Sequence, residues 1–296
     1  MNCSATCVIP ARVDSKRLHR KLLLEETGKP LIQHTIEQVQ KSKTVKRIIV
    51  ATDSIEISSV ATRCGVEYAY TSSGHRNGTD RIAAAILSIP MSPDFAYILN
   101  VQADEPEISP EAIDLLVSAT VQSNWKVGTG YSNVEEWDHL FDSSKVKLVT
   151  DSTDRCLYFS RSTIPHLKNH IIEGRSPLVL NYFKRHVGIY CYSFDSLVFY
   201  HRSVGDGGFG PLTLSEDLEQ LHFLELGIPL NAVDLSQFGL RPGIDTRGDY
   251  DRFVASNYCE EKPDPVSRKI DLSSSASTQQ TLVVDFEDLC SADEAE

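Results

Sequence analysis

Continuous apolar runs alternate with segments of helical hydrophobic spacing in the N-terminal part of the chain. The runs predict strands at Cys7–Ala11, Arg47–Asp53, Val66–Thr71 and Phe95–Gln102. The helical spacing predicts helices at Leu31–Val39, Ile55–Cys64 and Thr79–Ile89, and a fourth that begins at Ser109-Pro110. Gly65 is expected just after the end of the second helix. Strands apolar on both faces that alternate with helices predict an α/β fold with a mostly parallel sheet.

The polar loops that follow these strands are expected to meet at one edge of the sheet. Parallel strands end on the same side, and ligands of α/β sheets gather at their carboxyl ends. The loops after Ile9, Val50, Tyr70 and Val101 contain most of the Arg, Lys, Asp, Thr and Gln residues of this region. The sequence therefore predicts that a binding site lies where these four loops converge.

The middle of the chain has a different pattern. Segments 145–149 and 156–160 predict paired strands around a turn at 151–154, and 186–192 predicts another strand. Residues 204–211 contain four glycines and predict a flexible loop. Residues 215–226 predict one helix with Ser215 as its N-cap. Residues 257–296 predict a disordered acidic tail, which leaves 1–256 as the folded domain.

Composition narrows the class of protein. The chain has 296 residues and 41% hydrophobic residues, enough for a sizeable core. Its net charge is −12, of which the tail contributes −7 through ten acids and three bases, so nothing indicates a nucleic-acid groove. The sequence contains no apolar run long enough to span a membrane and no secretory signal. Seven cysteines without a CxxC pair argue against disulfides and zinc, and we expect a cytoplasmic protein.

The loop after the first strand contains five bases within ten residues. They are Arg12, Lys16, Arg17, Arg20 and Lys21. Charged donors at the carboxyl end of a strand can surround a polyphosphate. The alternative is a basic loop that is simply solvated, which its position after a strand makes less attractive.

Two acidic loops are candidates for a metal site. Asp104 lies just past the strand that ends near Gln102, where a carboxylate can hold Mg²⁺ against phosphate oxygens. Asp245 follows a second short apolar segment. Each has an ordinary alternative, because Asp104 also suits a turn and Asp245 also suits a helix cap.

A set of ordered motifs covers about residues 5–255. The motifs are Val8-Ile9-Pro10-Ala11-Arg12, Ser15-Lys16-Arg17-Leu18, residues 28–34, Ile49-Val50-Ala51-Thr52-Asp53, Thr71-Ser72 with His75, Gly78-Thr79-Asp80-Arg81, residues 100–106, Lys145-Val146-Lys147, residues 157–161, Ile164-Pro165, His186-Val187-Gly188-Ile189-Tyr190, Leu218-Glu219-Gln220-Leu221 and Asp245-Thr246. In this order they resemble the CMP-Kdo synthetases, the 3-deoxy-manno-octulosonate cytidylyltransferases. The resemblance implies a nucleotidyltransferase-type, Rossmann-like sheet with an inserted dimerisation region at about 135–215, and hence a homodimer.

The resemblance also implies roles for individual residues. The catalytic group would be Lys21, Arg17 and Asp104. Nucleotide binding would fall to Arg12, Arg17, Lys21, Thr71, Ser72, His75, Gly78, Thr79, Arg81 and Gln102. Sugar binding would fall to Arg161, His186, Glu216 and Gln220. Asp104 and Asp245 would bind Mg²⁺, the implied cofactor.

The implied reaction is attack by the anomeric hydroxyl of Kdo on the α-phosphorus of CTP, with release of pyrophosphate, a step of lipopolysaccharide biosynthesis. Two alternatives stay open: a divergent cytidylyltransferase for a related sugar acid, and a weakly catalytic paralogue that binds nucleotide. His186 has its own alternative, a hydrogen-bonded core histidine.

The sequence departs from the family pattern at three positions that bear on these alternatives. Arg20 stands where the family's first loop has glycine, which adopts positive φ more freely. Ala103 replaces a glycine beside Asp104, and Thr213 lies near the position of a family acid.

Overall fold

The computed structural model describes residues 3–15, 17–90, 93–167 and 177–260. Contacts divide the chain into Met1–Cys259 and Glu260–Glu296, and the sheet and the helices packed on it belong to the first unit. None of the helices in the described ranges is long and apolar enough to cross a membrane.

The described residues form nine strands and ten α-helices. The strands are β1 (Ala5–Ala11), β2 (Val45–Thr52), β3 (Glu67–Tyr70), β4 (Tyr97–Asn100), β5 (Val127–Asn133), β6 (Lys147–Thr150), β7 (Cys156–Ser160), β8 (Lys184–Ser193) and β9 (Leu230–Asp234). The helices are α1 (Leu31–Gln40), α2 (Ile55–Arg63), α3 (Gly78–Leu87), α4 (Pro110–Gln122), α5 (Trp137–Phe141), α6 (Pro177–Leu180), α7 (Phe194–Asp206), α8 (Pro211–Glu216), α9 (Leu221–Glu225) and α10 (Arg247–Glu260).

One sheet organises the described fold, in the order β3-β2-β1-β4-β8-β5-β9. The first four strands in this order, β3, β2, β1 and β4, are parallel to one another. Strand β8 is antiparallel to both β4 and β5, and β9 is parallel to β5. The hairpin of β6 and β7 joins through the pairing of β6 with β8. The predicted α/β class with a mostly parallel sheet is confirmed.

Both faces of the sheet are covered, which explains the continuous apolar runs of its central strands. Along β1, Cys7 and Ile9 pack with the buried faces of α1, α2 and α4. Val8 points to the other face and packs with α3 and α7. All three side chains are fully buried.

Local sequence signals set several helix ends as predicted. The Ser109 hydroxyl accepts a hydrogen bond from the Ala112 N–H at 3.2 Å, and Ser109 is the N-cap of α4. Gly65 follows α2 with φ of 71°, and the neighbouring Val66 N–H donates to the Ala61 carbonyl. These contacts satisfy backbone groups that a helix end leaves unpaired.

Two predictions in the second half were wrong. Segment 215–226 is not one helix, because Asp217 adopts φ of 51° and separates α8 from α9. The Glu216 carboxylate accepts hydrogen bonds from Ser160 and from the Arg161 N–H, and these tertiary bonds compete with helix continuation. Segment 204–211 is not one flexible loop either, since α7 extends to Asp206 and α8 begins at Pro211.

The apolar pattern missed strands β5 and β9. Strand β5 contains Gly128 and Gly130, where a Cβ atom would overlap Thr120 and Leu235 respectively. The glycines allow α4 and the segment after β9 to approach the strand closely, at the cost of the apolar signal that marks a strand.

The start of the predicted tail is helical. Helix α10 continues to Glu260, so the first four residues of the predicted segment 257–296 are helical. The remainder of that prediction, residues 261–296, lies outside the described residues.

The turn at Lys21–Leu23 starts from a left-handed residue. Arg20 adopts φ of 49° and ψ of 31°, and its guanidinium lies 2.6 Å from the Glu56 carboxylate. Arg20 therefore adopts the left-handed backbone that a glycine at this family position adopts more freely. Left-handed backbone costs a non-glycine residue roughly 1–2 kcal/mol.

We predict that Arg20→Gly is more stable than Arg20→Ala by about 0.5–1 kcal/mol, because both lose the ion pair and only glycine relieves the backbone. Denaturant unfolding of the two variants measures the difference. The matched control is exposed Ser59 in α2, where Ser59→Ala should be more stable than Ser59→Gly by about 1 kcal/mol. The same order at both positions would contradict the prediction.

Candidate active site

The loops at the carboxyl ends of the parallel strands enclose a cavity of about 300 Å³. Pro10 lies near the end of β1 and Arg12 follows it, Gly78 and Arg81 belong to the start of α3, and Gln102 follows β4. The loop after β2 is linked through Asp53, whose carboxylate lies 3.0 Å from Arg81. The predicted convergence of the four loops is confirmed.

Lys21 lies at the floor of this cavity between two carboxylates. Its Nζ donates to Asp104 Oδ2 at 2.5 Å, to the Ile244 carbonyl at 2.6 Å and to Asp245 Oδ1 at 3.3 Å. Only 9% of the lysine side chain is exposed. A buried ammonium needs such partners, because burial removes its hydration. One cation therefore brings together two aspartates that are far apart in sequence.

Arg17 forms a more exposed ion pair with the second of these aspartates. Its guanidinium lies 3.0 Å from Asp245 Oδ1, and it lines the cavity together with Arg12 and Lys21. The three predicted phosphate-binding bases thus face one space. Lys16, also counted in the basic loop, lies outside the described residues.

Glu105 is a buried carboxyl beside the two aspartates. Burial, and then the negative charge of Asp104, raise its pKa to about 8, so it is mostly protonated at pH 7. Gly243 leaves space for it, because a Cβ there would lie 3.3 Å from Glu105 Oε1. The sequence analysis missed this residue. Desolvation, together with the charge of the adjacent Asp104, therefore keeps a third carboxyl largely neutral at this centre.

Arg81 links the predicted nucleotide-binding loop to the end of β2 through buried hydrogen bonds. The residue is 1% exposed, and its guanidinium donates to Thr71 Oγ1 at 2.7 Å and to Asp53 Oδ2 at 3.0 Å. A rigid arginine fork of this kind fixes two strand ends relative to each other. Arg81 also lines the cavity, as its predicted place near the nucleotide requires.

The start of α3 connects this loop to the sheet. The Thr79 hydroxyl lies 2.9 Å from Tyr192 OH, which accepts from Asn100, and Gln102 donates to Asn100 in turn. The Thr79 N–H donates to the Glu219 carboxylate at 3.1 Å. Burial raises the pKa of Glu219, although the Thr79 bonds oppose that shift. This network sets the position of Gln102 at the cavity.

The remaining predicted nucleotide-binding residues lie on the exposed side of the same loop. Ser72 Oγ accepts from the Gly74 N–H at 3.1 Å, and His75 Nδ1 lies 2.8 Å from Asp80. Gly78 has little room for a side chain, since a Cβ would lie 3.3 Å from Pro10 Cγ. The glycine lets the start of α3 approach β1 closely, and both residues line the first cavity.

Three of the four predicted sugar-binding residues are engaged with each other or with the core. The Arg161 guanidinium donates to the carbonyls of Glu216 at 2.7 Å, Asp217 at 3.0 Å and Ser143 at 3.2 Å. Gln220 is 3% exposed and accepts from Tyr190 OH at 3.2 Å. Arg161, Glu216 and Gln220 are absent from the described lining of the cavity that contains Lys21.

His186 is the fourth, and it lines a second cavity of about 880 Å³, which the other three do not line. Its Nε2 lies 2.9 Å from Thr129 Oγ1, and its ring contacts those of Phe159 and Tyr190. Burial, and then the charge of Arg185, lower the pKa of His186 to about 3. The second cavity shares Arg17 and Asp245 with the first, so the two spaces adjoin at the charged centre.

Thr213 fills the place of the missing acid with a different contact. It is buried, and its hydroxyl donates to Glu225 at 2.6 Å, while the Leu212 N–H donates to the other oxygen at 2.7 Å. The Glu225 carboxylate therefore caps the start of α8. An acid at 213 would face this carboxylate and repel it.

The parallel strand ends, the basic loop and the paired aspartates define an α/β nucleotidyltransferase. The sequence profile described as cytidylyltransferase matches residues 6–228. This chain belongs to the cytidylyltransferase family.

Similar proteins match along nearly the whole folded part. The chain is similar to the 3-deoxy-manno-octulosonate cytidylyltransferase of Neisseria meningitidis serogroup C (strain 053442), with 37% identity over 249 residues, 84% of this chain and 96% of the relative. The enzyme of the same description from Geobacter metallireducens is 36% identical over 258 residues, with the same two coverages. The solved structure of CMP:2-keto-3-deoxy-manno-octonic acid synthetase complexed with CTP superposes with a TM-score of 0.75 at 29% identity, covering 87% of this chain and 99% of that one.

We predict that His186 makes the free energy of unfolding fall as the pH is lowered. The folded protein keeps this imidazole neutral down to about pH 3, whereas the unfolded chain takes up a proton below about pH 6.5. Stability contributed by the neutral ring is therefore present above pH 6.5 and declines below it, by up to about 1.4 kcal/mol per pH unit. Denaturant titrations of wild type and His186→Gln between pH 7 and pH 4.5 measure this, with a shallower decline expected for the variant. Parallel stability curves would contradict the assignment.

Proposed function

We propose that this enzyme transfers CMP from CTP to 3-deoxy-manno-octulosonate (Kdo) and releases pyrophosphate. The observation that carries the proposal is the Lys21 ammonium held between Asp104 and Asp245, beside Arg12 and Arg17, where the parallel strands end. The similarity to Kdo cytidylyltransferases over 84% of the chain supports the choice of both substrates.

In this proposal the first cavity binds the triphosphate. Arg12, Arg17 and Lys21 neutralise phosphate oxygens, and Gln102 and the loop of Thr71, Ser72, His75, Gly78 and Thr79 hold the base and ribose. Arg81 acts from beneath, because its buried guanidinium is already bonded to Thr71 and Asp53. Positioning and neutralisation of charge are the main demands of transfer at phosphorus.

The donor set at Asp104 and Asp245 fits Mg²⁺. Both carboxylates approach one ammonium, and both keep exposed area at the cavity, 28% and 42% of their side chains. Carboxylate and phosphate oxygens together are the ligands that Mg²⁺ favours. When bound there, the ion would supply charge neutralisation at the phosphates and lower the pKa of a coordinated hydroxyl.

The second cavity is proposed to hold the sugar acid. It adjoins the first at Arg17 and Asp245 and contains His186, so a sugar in it would lie next to the α-phosphorus. The anomeric oxygen would form the new bond to the α-phosphorus, and its proton would pass to solvent. The bond from the α-phosphorus to the oxygen that bridges to the β-phosphate would break, and pyrophosphate would leave with that oxygen. Engagement of Arg161, Glu216 and Gln220 by the sugar would exchange their present hydrogen bonds for bonds to substrate.

Thr213 favours a second candidate, a cytidylyltransferase for a related sugar acid. Near this position the family has an acid, whereas here a buried hydroxyl donates to Glu225. An activity panel separates the two candidates.

We predict Mg²⁺-dependent pyrophosphate release from CTP with Kdo as acceptor, and none with chelator present. A coupled pyrophosphate assay with Kdo, an amino-Kdo and a sialic acid measures it, and the other nucleoside triphosphates test the base. Faster release with another sugar acid would select the second candidate. CTP binding without release for any acceptor would leave a nucleotide-binding paralogue.

Asp104→Asn is the variant that tests the site itself, and we expect it to lose at least about a hundredfold in kcat. Some thermal stability is lost as well, because Lys21 loses its nearest carboxylate, so turnover is measured at a temperature where circular dichroism shows the variant to be folded. Asp206→Asn, at an exposed position outside both cavity linings, is the matched control and should keep wild-type turnover. Equal activity of the two variants would remove Asp104 from the site.

We also propose a homodimer formed through the region at about 135–215, and a reducing, cytoplasmic location. Six of the ten large apolar side chains exposed in the described structure lie in that region, namely Phe141, Leu157, Tyr182, Phe199, Leu212 and Leu214. A concentration of exposed apolar side chains in one region of the chain favours a second copy as the partner that covers them. The described cysteines form no disulfide, which fits a reducing compartment.

We predict that Leu214→Arg, at a side chain 66% exposed, converts the dimer to a monomer because it places a charge in an apolar interface. Light scattering after size exclusion measures the mass. Ile55→Arg, at a side chain 74% exposed outside the region, is the matched control and should stay dimeric. A monomeric wild type would refute the proposed assembly.

A further inference from the structure

The loop between β3 and α3 is mostly exposed and has few contacts of its own. Ser72, Ser73, Gly74 and Arg76 are exposed to solvent. The described hydrogen bonds within the loop are short-range ones, such as the Gly74 N–H to Ser72 Oγ. A loop of this kind loses substantial conformational entropy when it is held in one shape for a ligand. Its order must come from outside contacts.

Three of those outside contacts come from Tyr200, His201 and Phe209, which lie in or just after α7 and which we call the α7 clamp. Tyr200 OH accepts from Asn77 Nδ2 at 2.9 Å, and His201 Nδ1 lies 2.7 Å from Asp80 Oδ1. The Phe209 ring lies 5.5 Å from the Arg76 guanidinium carbon, within cation–π range. The clamp thus contacts the loop and its exit into α3 at three successive points.

Asp80 is the centre of this arrangement. The residue is 7% exposed, and each of its carboxylate oxygens faces one imidazole, Oδ2 that of His75 and Oδ1 that of His201. Burial raises its pKa, but hydrogen bonds from the two histidines outweigh burial and the net shift is downward. An ionised carboxylate only accepts, so both Nδ1 atoms carry protons. This fixes the tautomer and the ring orientation of His75.

The cluster is a hydrogen-bonded relay rather than a metal centre. The described ranges contain no group of three or more His, Cys, Asp and Glu side chains suited to hold a metal ion. His201 itself is absent from the described lining of the first cavity. Its contacts lead through Asp80 to the loop that runs into Gly78, which does line that cavity. Its effect on that loop is therefore indirect.

We propose that His201 is a positioning residue for nucleotide binding, which through Asp80 holds His75 and the loop 71–77 in the shape that receives the nucleoside of CTP. The role rests on the proposed function for the identity of the nucleotide. The geometric part, an ordering of the loop by α7, stands without it. Loss of His201 should therefore act on nucleotide affinity more than on the chemical step.

The test compares His201→Leu with His201→Asn and with Arg202→Leu, a change at the exposed next position of α7. We expect His201→Leu to raise the KM for CTP about tenfold, as for loss of one hydrogen bond to a charged group, with kcat altered less than about twofold. His201→Asn keeps an N–H donor near the position of Nδ1 and should restore KM to within about twofold. Arg202→Leu should match wild type.

Hydrogen exchange of the unliganded variants measures directly how well the loop is ordered. Peptides covering 71–78 should exchange faster in His201→Leu than in wild type, His201→Asn or Arg202→Leu, while peptides of β1 stay unchanged. Unchanged exchange and KM in His201→Leu, or failure of His201→Asn to rescue them, would overturn the proposal. If wild type does not turn over CTP, the proposed function fails and hydrogen exchange alone decides the clamp.

A measurement on the unmutated protein guards against misfolded variants. Nitrogen-resolved NMR of the histidine side chains should show His75 and His201 with Nδ1 protonated and Nε2 unprotonated near pH 8. A protonated Nε2 with bare Nδ1 on His201 would exclude the bond to Asp80 and overturn the relay.

Discussion

The described fold depends at its functional edge on one buried cation, the Lys21 ammonium. It lies between carboxylates from distant parts of the chain, Asp104 after β4 and Asp245 before α10. Removal of one partner from a buried ion pair typically costs about 3–5 kcal/mol, because the charge left behind has lost its hydration. The left-handed backbone at Arg20 is part of the same constraint, since it begins the turn that contains Lys21. Strain in the loop and charge balance in the cavity are therefore linked.

The same centre joins the two cavities. Arg17 and Asp245 line both cavities, so a triphosphate in one and a sugar acid in the other would meet at these charges. Burial, and then the charge of Asp104, raise the pKa of Glu105, so this third carboxyl adds little negative charge at neutral pH. An enzyme that joins two anions needs such compensation, and the bases of the first loop provide it from the opposite side. Charge balance in this fold is thus also the means by which its substrates would be aligned.

The second half of the chain holds the start of α3 and the loop before it in place. Tyr192 on β8 links Thr79 to Asn100, Glu219 accepts from the start of α3, and the α7 clamp bonds to Asp80. Three elements remote in sequence thus converge on one short helix start. The region that would bind sugar and the region that would bind nucleotide share these contacts. A displacement of one region would therefore alter the contacts that position the other.

The sequence by itself determined the parallel half of the sheet, the loops at its edge and most of the first cavity. Alternating apolar runs and capping residues act locally, and Lys21, Asp104 and Asp245 follow strands or turns that such signals mark. Only the tertiary structure decided the break between α8 and α9, the glycine-containing strand β5, and the bonds that occupy Arg161. It alone brought His201 to Asp80, 121 positions away. Local patterns report what a segment prefers, whereas these features depend on which distant partner satisfies a buried polar group, and that is settled only when the chain closes.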